Sequence, residues 1–154
     1  MRALIFPLLL MVLLASGCAV RGPVGSYCGP LPEGNAVSAI AVDAVDCLST
    51  LYPPGHTSVH LVPAKNVDNG FAQTFENGLR TKGFTLVPDA RADALAIAYT
   101  LDAMDEKSAW YLQLRISDNE GSGKSIARAY TSSGQPEAGQ SRTEITLKRS
   151  MLQK

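Results

Sequence analysis

Four sets of side chains have types and spacing that could do chemistry: Gly-Ser-Gly-Lys-Ser at 121–125, cysteines at 18, 28 and 47, histidines at 56 and 60, and the adjacent carboxylates Asp105 and Glu106. The first ends like a phosphate-binding loop, in which successive backbone N–H groups curl round one phosphate and a lysine reaches the next. Such a loop needs a glycine five positions before Gly123, where this chain has Asp118, and a carboxylate there repels phosphate. It must also open a helix, whereas KSIARAYTS, 124–132, alternates as a strand does, so DNEGSG reads as a hairpin turn. His56 and His60 share one face of the extended stretch HTSVHLV, but no third ligand lies at close spacing, so solvent-facing histidines are expected rather than a metal site. Asp105 and Glu106 fall at a hairpin tip, where a solvated turn explains them. There is no G-x-S-x-G elbow, and no histidine stands in a familiar pattern with a cysteine. The expectation is a protein that is not an enzyme, with no catalytic residue, no metal, no cofactor and no small-molecule substrate.

The cysteines carry more. MRALIFPLLLMVLLASGCAV has a positive Arg2, an apolar run from Ala3 to Ala15, and then small residues. A membrane-spanning helix needs roughly 20 apolar residues, so this shorter run fits the core of a secretory signal. Leu14-Ala15-Ser16-Gly17-Cys18 resembles a bacterial lipobox, with small residues for the protease and the Cys18 thiol as the site of lipid attachment. Each buried CH₂ of an acyl chain contributes about 0.8 kcal/mol, so several palmitate-class chains make a permanent anchor. The resemblance to lipoproteins carries a sorting rule, in which an Asp after the cysteine favours inner-membrane retention; here Ala19 and Val20 follow Cys18, which by that rule implies the periplasmic face of the outer membrane in a host that has one.

With Cys18 lipidated, Cys28 and Cys47 remain as one candidate disulfide in an oxidising compartment. It would close a loop of about 20 residues and contribute roughly 3 kcal/mol. The chain has 14 basic and 14 acidic side chains, and cleavage before Cys18 removes only Arg2 from them. That balance gives no reason to expect direct nucleic-acid binding.

The elements that must position these residues follow from periodicity. Residues 1–17 are the signal peptide, and 18–34, rich in Gly and Pro from Arg21 onward, form a tether. The globular domain spans 35–132, and 133–154 is a tail with one further element whose pattern suits a strand or a helix. Asn35 can cap a helix from Ala36 to about Leu51, with Val37, Ile40, Ala41, Ala44, Leu48 and Leu51 on its apolar stripe and Asp43 and Asp46 off it. A strand is expected over His56–Val62. A second helix follows, capped by Asn66 or Asp68, with Phe71, Phe75 and Leu79 at i, i+4, i+8 and Gly83 as a left-handed stop. FTLV, ALAIAYTLDA, AWYLQLRIS and KSIARAYTS read as strands, the last three as a meander. Trp110, Leu112, Leu114 and Ile116 share one face, and Tyr111, Gln113 and Arg115 the other. The fold class is α+β: a small two-layer sandwich of two helices on a mostly antiparallel sheet of about five strands. Tyr111 and Arg115 form a candidate partner surface, since such residue types are frequent in interface centres.

The helix end LSTLYPPGHTSVHLV, the segment FAQTFENGLRTKGFTLV and the strands ADALAIAYTLD and WYLQLRIS, with the lipobox, resemble the TrbH family of conjugal transfer lipoproteins. The most telling pieces are the Leu51-Tyr52-Pro53-Pro54 junction and the helix exit from Gly78-Leu79-Arg80 to Gly83-Phe84. The resemblance implies an outer-membrane-anchored structural component of a conjugative type IV secretion, or mating-pair-formation, apparatus that moves plasmid DNA. Its partners would be the membrane, through lipid on Cys18, and other conjugation-channel proteins. The alternatives are a pilotin or chaperone-like lipoprotein and a surface lipoprotein that acts in exclusion in the recipient. The resemblance carries over no functional residue beyond Cys18.

Overall fold

A computed structural model describes residues 25–65, 69–91, 93–104, 108–118, 123–137 and 143–147, the last as backbone. Cys18, the signal segment and the Asp105–Glu106 pair lie outside the described residues.

The meander is the frame. Three long strands, β4 (Ala94–Met104), β5 (Ala109–Ser117) and β6 (Gly123–Thr131), pair antiparallel, and β7 (Thr143–Leu147) adds to the free side of β6. The further element left open by the C-terminal pattern is therefore a strand. Period-2 alternation puts Ile97, Tyr99 and Leu101, then Trp110, Leu112, Leu114 and Ile116, then Ile126 and Tyr130 on one buried face. Ser117 pairs with Gly123, so the DNEGSG stretch joins antiparallel neighbours, and Lys124 and Ser125 belong to a strand. A phosphate loop would have opened a helix there.

Parallel pairing completes the other side. β2 (Ser58–Leu61) runs parallel to the first half of β4, and β3 (Thr85–Leu86) runs parallel to β2 at the sheet edge. β1 (Tyr27–Cys28) lies parallel to the second half of β4, on the same side as β2. Among the described residues the sheet has seven strands, in the order β3-β2-β4-β5-β6-β7 with β1 also on β4. Parallel neighbours require a crossover, and helix α2 (Gly70–Lys82) supplies it between β2 and β3. The tether expected through residue 34 thus yields to the fold earlier. Ser26 bridges to Ala64, Tyr27 and Cys28 pair with β4, and Cys28 is buried.

Helices α1 (Gly34–Leu51) and α2 cover the apolar sheet face and touch each other, giving the two-layer α+β sandwich. α1 buries Val37, Ile40, Ala41, Ala44, Val45, Cys47 and Leu48. It begins one residue before the expected cap: Glu33 is the N-cap, without a side-chain bond, and its carbonyl accepts from Ala36 and Val37 N–H. α2 buries Phe71, Phe75 and Leu79 completely, the expected stripe. Phe71 stacks on Phe75 at 5.4 Å and tilts against Tyr99 at 5.1 Å. The cap of α2 is Asn69 rather than Asn66 or Asp68; its side chain accepts from Ala72 N–H at 3.0 Å. Gly83 ends the helix at φ 100°, a left-handed conformation that favours glycine. Gly78 marks the helix crossing, where an added Cβ would sit 3.0 Å from Val45 Cγ2.

The strand expected from His56 begins at Ser58. Pro54–His56 forms one turn of 3₁₀ helix, and Thr57 closes it with its N–H on Pro54 O and its hydroxyl on Pro53 O at 2.8 Å. His56 and His60 therefore belong to different elements. Among the described residues no group of three or more His, Cys, Asp or Glu is placed to hold a metal.

Candidate functional site: the open sheet face and the arrival of the tether

Both helices lie on one side of the sheet, which leaves the opposite face without a covering layer among the described residues. Cross-strand register fixes its rows: Ala98 beside Arg115 and Ser125, Thr100 beside Gln113 and Ala127, Asp102 beside Tyr111 and Ala129. Tyr27 aligns with Thr100 and is half exposed. Tyr111 and Arg115 thus share the face opposite Trp110, as their spacing predicted. Small residues floor a concavity of about 610 Å³ between Val62, Ala96, Ala98, Gln113, Arg115 and Ser125. Gln113 Nε2 donates to Ser125 Oγ at 2.9 Å across two strands.

The chain reaches this face at Gly25. β2 occupies the edge of β4 from Ala94 to Ile97, and Val62 N–H still donates to Ile97 O at 2.8 Å. β1 takes over farther along, where Gly29 N–H donates to Leu101 O at 2.8 Å. Between the two strands Tyr99 N–H would face no backbone carbonyl. Ser26 fills the gap: its hydroxyl accepts from Tyr99 N–H at 3.1 Å and donates to Val62 O. This buried serine does the work of a strand residue with its side chain. Arg115, reaching across from β5, donates through Nη2 to Gly25 O at 2.6 Å. A candidate partner contact in the sequence is thus an intrachain clamp at the end of the tether.

The strand β1 is held closely at its other end. An added Cβ on Gly29 would collide with the Asp102 carboxylate, so a side chain there would require Asp102 to move. Burial, and after it the nearby Asp102 carboxylate, push the Cys28 thiol up to about 11. At neutral pH this thiol is protonated and a poor nucleophile.

The expected Cys28–Cys47 bridge is not formed. Cys28 is on β1, to one side of β4, whereas Cys47 packs from α1 over β5 and β6, beside Leu112, Ile126 and Arg128. At about 4.8 Å per strand the two are roughly 10 Å apart or more, beyond the span of a disulfide. Sequence separation alone could not reveal this, because the strand order interposes β4.

A polar cluster on the helix-covered face went unread in the sequence. Arg128 stands in phase with Ile126 and Tyr130, and α1 turns Asp43 toward it. Asp43 accepts from Arg128 Nη1 through Oδ1 and from Tyr130 hydroxyl through Oδ2, the latter at 2.7 Å. The hydrogen bond that Arg128 donates to Asp43 raises the Arg128 pKa, and burial, then that same carboxylate, raises the Tyr130 phenol strongly. The signal was available: a charged residue in the apolar phase of a strand needs an opposite charge from the layer above it. The residual cavity beside the cluster is about 10 Å³, too small for a ligand. A second buried pair, Asn69 Nδ2 donating to Tyr99 hydroxyl, ties the start of α2 to β4. Burial holds Tyr99 at about 12.

Among the described residues, two internally bonded polar clusters lie under the helices, and the domain joins its N-terminal segment at an open sheet face. The family model for conjugal transfer protein TrbH matches residues 22–149. The chain belongs to the TrbH family. The match runs from just before the clamp at Gly25 to beyond β7, so it takes in every described TrbH element, β1 and the edge strand included. No curated protein and no solved structure matches the chain. Neither helix described in this TrbH chain is long and apolar enough to cross a membrane.

Proposed function

We propose that this TrbH-family chain is a structural component of a conjugative type IV secretion apparatus, anchored by lipid on Cys18 at the periplasmic face of the outer membrane. The observation that carries the reading is the family match over 22–149, joined to the lipobox-like LASGC at 14–18. The protein acts by position rather than by turnover: the lipid fixes the chain, the short segment after Cys18 sets its reach, and the folded domain binds other channel subunits. Its partners are proteins and the membrane, not nucleic acid and not a small-molecule substrate.

The sheet offers one extended contact for such partners. β7 pairs with β6 on one side and has no described strand on the other. An edge of this kind accepts an extended segment by strand addition, with main-chain hydrogen bonds supplying affinity. Deleting the gene separately in donor and in recipient tests the reading. Loss of plasmid transfer with the donor deletion alone is expected. Unchanged donor transfer with altered recipient behaviour would overturn it in favour of an exclusion lipoprotein.

A further inference from the structure

The geometry points to a fixed orientation: we propose that the open sheet face is turned toward the lipid bilayer, with Arg115 as the positioning residue that sets where the tether joins the domain. The proposal rests on the lipidated Cys18 of the preceding reading. Six residues separate Cys18 from Gly25, seven Cα–Cα steps and so a reach of at most about 25 Å even when fully extended. Gly25 is held over the open face by the Arg115 Nη2 bond at 2.6 Å. To bring the helical face to the membrane, the tether would have to pass the one chain segment outside Ser26, at Val62–Ala64, roughly 5 Å, and then the thickness of both layers, about 20 Å more. That path takes up the whole of its extended length and leaves no slack. The open face needs no such detour.

The chemistry of the two faces agrees. The open rows carry Ala96, Ala98, Thr100, Gln113 and Ser125, all small or neutral, with Tyr27 and Tyr111 as amphipathic rings suited to the headgroup layer. The one carboxylate within those rows, Asp102, accepts from Ala103 N–H at 2.9 Å. The helical layer instead exposes the ion pairs Asp46–Lys82 and Glu76–Arg80, charged groups of both signs for which water is the better neighbour.

The test uses the lipidated full chain in vesicles of phosphatidylethanolamine and phosphatidylglycerol carrying an acceptor dye on the headgroup. A donor dye is placed at Tyr27→Cys on the open face or at Val42→Cys on α1, positions that are 49% and 59% exposed. Energy transfer should be stronger from position 27, by a distance difference of about two layers, ~20 Å. Arg115→Ala should shrink that difference by half or more while flotation with the vesicles is unchanged, and Arg115→Lys, which keeps one donor, should restore part of it. Equal transfer from both positions in floating protein overturns the orientation. A difference that Arg115→Ala leaves intact overturns the role of Arg115. A chain that does not float overturns the anchor itself, which flotation reports separately.

Discussion

Replacing Asp43 by alanine removes the acceptor of two hydrogen bonds at once. Arg128 loses its counter-charge where the side chain is 26% exposed, and Tyr130, almost fully buried, loses the acceptor of its hydroxyl. A hydrogen bond to a charged group is worth about 1.5–3 kcal/mol, and stranding a buried charge costs about 3–5 kcal/mol. Because Asp43 and Arg128 each keep about a quarter of their side-chain surface in water, the charge part is reduced, and a loss of about 3 kcal/mol is expected for Asp43→Ala. Urea unfolding of the chain lacking the signal and lipid, followed by Trp110 fluorescence, measures it. Arg128→Met alone should cost less, and the double substitution should recover part of the sum, since the two groups stabilise each other. A loss below about 1 kcal/mol for Asp43→Ala, or strict additivity in the cycle, would refute the claim that this cluster ties α1 to β6.

The other predictions are simpler to state. Phe75→Ala, at a fully buried site stacked on Phe71, should cost about 3–5 kcal/mol, and a urea midpoint within error of wild type would contradict the placement of α2. In a chain with Cys18 replaced, Cys28 and Cys47 should resist iodoacetamide when folded and both take it up after denaturation without reductant; no uptake would restore the bridge. Burial raises Cys28 to about 11, Tyr99 to about 12 and Tyr130 in the same direction, so the folded state keeps protons that the unfolded chain sheds first. Their contribution is complete below about pH 9 and is lost as pH rises toward 12, so the urea midpoint should fall between pH 9 and 11; a flat profile contradicts the burial of these groups.

What the sequence made legible was whatever depends on local periodicity. The alternation of β4, β5 and β6, the Phe71-Phe75-Leu79 stripe and the Gly83 stop are each set by neighbours a few residues away. The same alternation placed Tyr111 and Arg115 together. What stayed hidden depends on distant pairing. β1 is two residues in a Gly/Pro-rich segment, and it exists because β4 has an unfilled length of edge beyond β2. Ser26 and Arg115 gain their roles only from that junction, and no spacing encodes it. The cysteines failed as a pair for the same reason: twenty residues of sequence say nothing of the strand that stands between them. Asp43 lies off the apolar stripe of α1, yet a helix flank can reach an arginine on the strand below.

The claim that the chain works as a membrane-tethered part of a transfer apparatus is tested most directly by plasmid transfer from donors carrying Cys18→Ser, with the protein's membrane fraction measured in the same cells. The account predicts that the protein leaves the outer-membrane fraction and that transfer falls by orders of magnitude. Transfer at the wild-type frequency from donors in which the protein has left the membrane would contradict it.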